Sequence, residues 1–237
     1  NIFVKNLSFT LAEVLITLVV IGIIAAITVP MIMANHRKTE TASKLKKFYS
    51  VMTNAIKLSE TEWGIPSYEW EGRSVCGGLE QHKQYLDNYI LKHINYLKIE
   101  ELGENESYYN SIQAINKQYW ENVAAVYLND GSLFFVDECV YGIVFDVNGE
   151  RKPNQVGKDI FSFYILSEDD GDPAFAQTVP RFNTRDWSTI LFQPEHGGND
   201  ISRSNFLNGC RQGFSSSCTA LVEMDGWEFK EDYPYKL

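Results

Sequence analysis

The chain has 237 residues, of which 44% are hydrophobic, and a formal net charge of −10. An acidic balance of this kind offers no general basic face for neutralising phosphates, so binding to nucleic acid is not expected. The charge is also unevenly divided: residues 1–60 carry seven Lys or Arg against three Asp or Glu, whereas residues 61–237 carry 14 against 28.

The first element in chain order is apolar. From Val14 to Ala34 there are 21 residues with no ionisable group. As a helix these would cover roughly 30 Å, the thickness of a hydrocarbon core. Twelve are Val, Leu or Ile, together favouring insertion by about 4 to 7 kcal/mol. Glu13 lies one residue before this stretch, near one end of the span. A carboxylate at membrane depth reads as a functional group with a partner. The run is too long for the apolar core of a cleaved secretory signal. Gly22 and Ala26 have small-x-x-x-small spacing, which lets helix backbones approach closely in a membrane. Pro30 removes one helical hydrogen bond and crowds the carbonyl of Ala26, so a bend is expected there.

Ser8-Phe9-Thr10-Leu11-Ala12-Glu13-Val14-Leu15-Ile16 resembles the processing motif of type IV prepilins and type II secretion pseudopilins. The resemblance covers about 50 residues and implies cleavage between Ser8 and Phe9 by a prepilin peptidase, N-methylation of Phe9, and an assembly role for Glu13. It places Pro30 where many family members carry a helix-bending proline, and Ser8 where most carry Gly. It further implies insertion in the bacterial inner membrane and contact with an assembly platform and with other pilin or pseudopilin subunits. The chemistry is coherent. Cleavage creates an α-ammonium with an ordinary pKa near 8, and an ammonium and a carboxylate in a low-dielectric setting compensate each other where either alone is penalised. Glu13 of an incoming subunit would then pair with a neighbour's terminus.

The helix is expected to continue past the span to about Ser59. Leu45, Phe48, Met52, Ala55, Ile56 and Ser59 recur at three- and four-residue intervals opposite Lys44, Lys46 and Lys47, an amphipathic pattern, and Gly64 and Pro66 end it. Such a spine, roughly 75 Å long, would carry a domain on its outer half. Orientation signals conflict. Five cations soon follow the span and one precedes it, which on a positive-inside count puts the body in the cytoplasm. The cysteines and the leader motif instead favour an oxidising compartment, the periplasm or cell exterior, and we follow them.

The division expected is therefore a leader at 1–8, the helix at 9–60 and one head domain at 61–237, which holds 28 of the 32 aromatic residues. Leu79, His82, Leu86, Tyr89, Ile90, Ile94 and Leu97 read as a helical stripe. Val123–Leu128 and Ser132–Val136 flank Asn129-Asp130-Gly131, a strong hairpin signal. Val140–Phe145 and Ile160–Leu166 are further strands. The short connections predict an antiparallel sheet, hence an α+β, pilin-like class. Asn205–Gly213 reads as a short helix, Asp225-Gly226-Trp227 as a turn, and Trp227, Tyr233 and Tyr235 as residues that pack the tail on the sheet.

Cys76, Cys139, Cys210 and Cys218 show no C-x-x-C pair and no histidine at ligand spacing, so two disulfides are expected rather than a zinc site. Short separation pairs Cys210 with Cys218, which leaves Cys76 for Cys139. The Asp146–Asp159 loop resembles one recurrent in pilin-like proteins with this leader. Asp146 and Asn148, or Asp169, Asp170 and Asp172, supply oxygens of the type that binds Ca²⁺. The spacing is not that of an EF-hand, and Asp-x-Asn-Gly is commonly a self-bonded turn, so no cofactor is expected.

No enzyme signature is present. Gly213-Phe214-Ser215-Ser216-Ser217 lacks the second glycine of a nucleophile elbow. Gly157-Lys158-Asp159 lacks the P-loop hydroxyl, and no H-E-x-x-H occurs. The function expected is that of a structural subunit of a pilus or secretion pseudopilus. The alternatives are a membrane-anchored binding module that does not polymerise, or an anchored hydrolase.

Overall fold

The computed structural model describes residues 10–71, 79–103, 107–112, 122–136, 142–165, 182–183 and 202–237. Helix α1 runs Leu11–Trp63, 53 residues through Pro30 without a break. It stops at Gly64, whose φ of 70° is left-handed and whose N–H bonds Glu60 O at 2.9 Å, the closure that a residue without Cβ makes cheaply. The amphipathic stripe is the buried face. Thr41, Ala42, Leu45, Phe48, Met52, Ala55, Ile56 and Ser59 are covered, each large apolar member contributing about 1.5–3 kcal/mol.

What covers them is an antiparallel sheet of six strands in sequential order. The strands are β1 (Tyr96–Gly103), β2 (Asn122–Leu128), β3 (Leu133–Val136), β4 (Gly142–Asp146), β5 (Ile160–Ile165) and β6 (Phe182–Asn183). Its register sets Phe134 opposite Phe145 and Phe145 opposite Phe161, so one face of the central strands is aromatic. Phe48 of α1 enters that face. Its ring stacks on Phe145 at 4.1 Å and meets Phe134 at 5.4 Å and Phe163 at 5.2 Å. The alpha-plus-beta expectation, the helix spine and the antiparallel strands are therefore present. The β2–β3 hairpin closes as its turn residues require: Leu128 N donates to Ser132 O, Gly131 sits at φ 79°, and Asp130 Oδ1 accepts from Ser132 N.

Two parts of the head differ from the sequence reading. The stripe from Leu79 to Leu97 is not one helix. Helix α2 (Leu79–Tyr85) widens into a π turn at Leu86–Ile90 and tightens at Leu91–His93 before the chain extends. The wider turn buries Tyr85, Leu86, Tyr89 and Ile90 together, with Tyr89 stacked on Trp70 at 4.5 Å. Leu97 instead falls in the edge strand β1 and is 65% exposed. After the short helix α3 (Ser107–Ser111) and the sheet come two C-terminal helices where one was expected: α4 (Arg203–Arg211) and α5 (Ser215–Met224).

Helix α5 packs on β5, where Ser162 N donates to Thr219 Oγ1 at 3.1 Å. A disulfide joins Cys210 to Cys218, and closing so short a loop stabilises by about 2.5 kcal/mol on the chain-entropy account. Cys76 and Cys139 lie outside the described residues. Arg203 forks onto Asp225 and Asp232 with contacts of 2.6–2.8 Å, fixing the turn after α5 and the tail. Trp227 packs on Tyr49 of α1, whereas Tyr233 and Tyr235 bond to Gly157 O and Cys210 O, so the tail is held by helices and loop as much as by the sheet.

Candidate functional site

Helix α1 divides into a bare half and a packed half. From Leu11 to Met33 every residue is exposed, with Leu11 at 78%, Ile27 at 68% and Ile32 at 66%. The most apolar window has a mean hydropathy of 2.7, and none of it is buried. This helix, near the start of the chain, is long and apolar enough to cross a membrane. Its hydroxyls do not spoil that character: Thr17 Oγ1 donates to Val14 O at 2.8 Å and Thr28 Oγ1 to Ile24 O at 3.0 Å. Each is satisfied within the helix, as an apolar solvent requires.

The charge in this half is organised by the helix start. Thr10 is the N-cap, and its Oγ1 accepts from Glu13 N at 3.3 Å. Glu13 Oε2 accepts in return from Thr10 N at 2.8 Å and Thr10 Oγ1 at 2.9 Å. This reciprocal capping box satisfies amides that the first turn leaves without partners, and its carboxylate also complements the helix dipole. Ser8 and Phe9 lie outside the described residues. Gly22 has open space around its Cα, with nothing within 4 Å of an added Cβ. Nine residues at about 100° each set Gly22 on the face opposite Glu13, and Ala26 about 40° from Gly22. Pro30 lies within this bare half, 11 residues before the first buried residue, Thr41.

The packed half is also fastened by cations. Lys44 Nζ donates to Val147 O at 3.0 Å and meets Glu40 at 3.3 Å, while Lys47 pairs with Asp130 in the hairpin turn at 2.8 Å.

The second region singled out in the sequence is the loop joining β4 to β5. Asp146 is fully buried; its Oδ1 accepts from Asn148 N at 3.0 Å and its Oδ2 from Tyr108 OH at 2.9 Å. Asp159, 3% exposed, accepts from Asn154 N, Gln155 N and Asn148 Nδ2. The oxygens of both carboxylates are thus taken up by donors of the chain, and the loop is folded around them. Burial, joined by the neighbouring Asp159 charge, raises the Asp146 carboxyl to about 8; burial also raises Asp159. Among the described residues no group of three or more His, Cys, Asp or Glu could hold a metal ion. Asp169, Asp170 and Asp172 lie outside the described residues. Gly157 completes the loop at φ 75°, where an added Cβ would meet the Tyr235 ring at 2.5 Å.

A family of unknown function, DUF6613, matches residues 31–237, the outer part of α1 and all that follows. No curated protein and no solved structure matches the chain.

Proposed function

The chain belongs to the DUF6613 family of unknown function, and we propose that it is a structural subunit of a type IV pilus or type II secretion pseudopilus, cleaved before Phe9 and polymerised through α1. The observation that carries this reading is the division of one helix into a bare apolar half headed by Glu13 and a half sunk in the sheet. A helix apolar on all sides needs either lipid or other helices around it, and a subunit moving from bilayer to fibre core would exchange one for the other. The opposite placement of Glu13 and Gly22 supports it, because contacts made through two different faces propagate into an open filament. In this reading the head lies outside the cytoplasm and a prepilin peptidase is the processing partner.

The mass of the mature N-terminus, measured in cells with and without prepilin peptidase, tests the proposal. A chain beginning at N-methyl-Phe9 is expected only where the peptidase is present; an intact leader in both strains would overturn the filament reading. Glu13→Ala is expected to leave processing intact while most cross-linking between neighbouring subunits is lost. Undiminished cross-linking would show that the carboxylate serves only the helix cap.

A further inference from the structure

Where α1 leaves its apolar half, the acidic head presents a basic cleft. The cleft has a volume of about 580 Å³ and lies between α1, the β4–β5 loop and the end of the tail, with Arg37, Lys44, Arg151, Lys152, Lys158 and Lys236 on its walls. Two side-chain carboxylates, those of Glu40 and Asp159, share this lining, and neither leaves its charge unopposed: Glu40 meets Lys44, and Asp159 is buried under three N–H donors. Lys44 is likewise engaged. Arg151 spends its Nε on Asn148 O, which leaves the outer guanidinium nitrogens for another acceptor. Among the described residues no carboxylate pairs with Arg37, Arg151, Lys152, Lys158 or Lys236. Five cations brought together by three separate parts of the chain give the cleft a positive potential that favours an anion.

The position of the cleft says which anion. Arg37 is three residues beyond Ala34, about 4.5 Å along the helix axis, and the headgroup layer extends roughly 5–7 Å beyond the hydrocarbon. With the bare half in a bilayer, Arg37 lies level with lipid phosphates and the long side chains of the loop reach toward the same layer. We infer that this cleft binds the phosphate of an anionic phospholipid and seats the head on the membrane surface. The inference rests on the reading that the first half of α1 spans a bilayer, and it adds a lipid class and a docking surface to that reading.

The test uses the full chain reconstituted in vesicles of mixed phosphatidylcholine and phosphatidylglycerol, extracted gently, with the co-purifying lipids counted by mass spectrometry. Each juxtamembrane cation is worth about a fivefold preference for anionic lipid, so the ratio of phosphatidylglycerol to phosphatidylcholine should be at least about fivefold above that of the bulk. The double variant Arg151→Gln/Lys152→Gln, altered only at exposed positions, should return the ratio most of the way to bulk. A bulk ratio for the unaltered chain, or an enrichment that survives the double substitution, would overturn the proposal. So would its complete displacement by inorganic phosphate, which would assign the cleft to a soluble anion, or dependence on protein density, which would assign it to a second copy's acidic head. Resistance of the chain to carbonate extraction reads the span separately: an inserted chain with bulk lipid refutes the cleft alone, and a chain that washes off refutes both.

Discussion

Phe48→Ala is expected to destabilise the head by about 3–5 kcal/mol, the usual cost of deleting a buried aromatic ring. Phe48 is 3% exposed and touches three sheet rings at once, so its removal opens a cavity where α1 meets the aromatic face. The loss falls on contacts that cannot close over it, because Phe134, Phe145 and Phe163 stand on three different strands whose spacing is set by backbone bonds. Set against typical domain stabilities of about 5–15 kcal/mol, this is about a fifth of the total or more. Denaturant unfolding of the full chain in detergent, followed by near-UV circular dichroism, provides the measurement. A change below about 1 kcal/mol would mean that the helix is not seated on the sheet as described.

Asp146 gives the second large effect, and its sign is opposite to that of a paired surface carboxylate. Its folded pKa, about 8, lies above the unfolded value near 3.8. Between those values the folded chain holds a proton that the unfolded chain has released, so stability falls as pH rises. The contribution is fully present below about pH 4 and is lost by about pH 8. Asp146→Asn keeps the shape and an acceptor for Asn148 N while removing the titration. The variant is expected to show a shallower decline in melting temperature from pH 4 to 8 than the unaltered chain, and to be the more stable of the two at pH 8. Parallel profiles would show that the carboxylate is charged in the folded head.

The legible parts of this fold are those in which local chemistry and burial agree. The stripe from Leu45 to Ser59 is a helix face because its spacing matches the helical period, and Asn129-Asp130-Gly131 turns because Gly131 must adopt a positive φ. Strand β1 is not legible because Tyr96 to Gly103 lies mostly exposed at the sheet edge, so burial does not impose the alternation by which strands are recognised. Leu97 reads as the end of a helical stripe only if the π turn at Leu86–Ile90 is ignored. Helix α5 opens with three serines, which read as a loop, and its support comes from β5 rather than from its own pattern. Of the site, Glu13 and the apolar span stand out in the sequence. The basic cleft does not, because Arg37, Arg151 and Lys236 come together only once loop, tail and helix have docked; the adjacent pair Arg151-Lys152 was its one local signal.

The uninterrupted course of α1 makes it a lever. About 30 residues, or roughly 45 Å, separate Leu11 from the first buried residue at Thr41. A tilt of about 20°, ordinary for a single helix in a bilayer, shifts the far end sideways by roughly 15 Å relative to the head. In the proposed membrane-inserted subunit, hydrocarbon thickness acting on the bare half would thereby set the angle at which the acidic head leans over the membrane. A flexure at Pro30, where the Ala26 carbonyl has lost its helical donor, would uncouple one from the other.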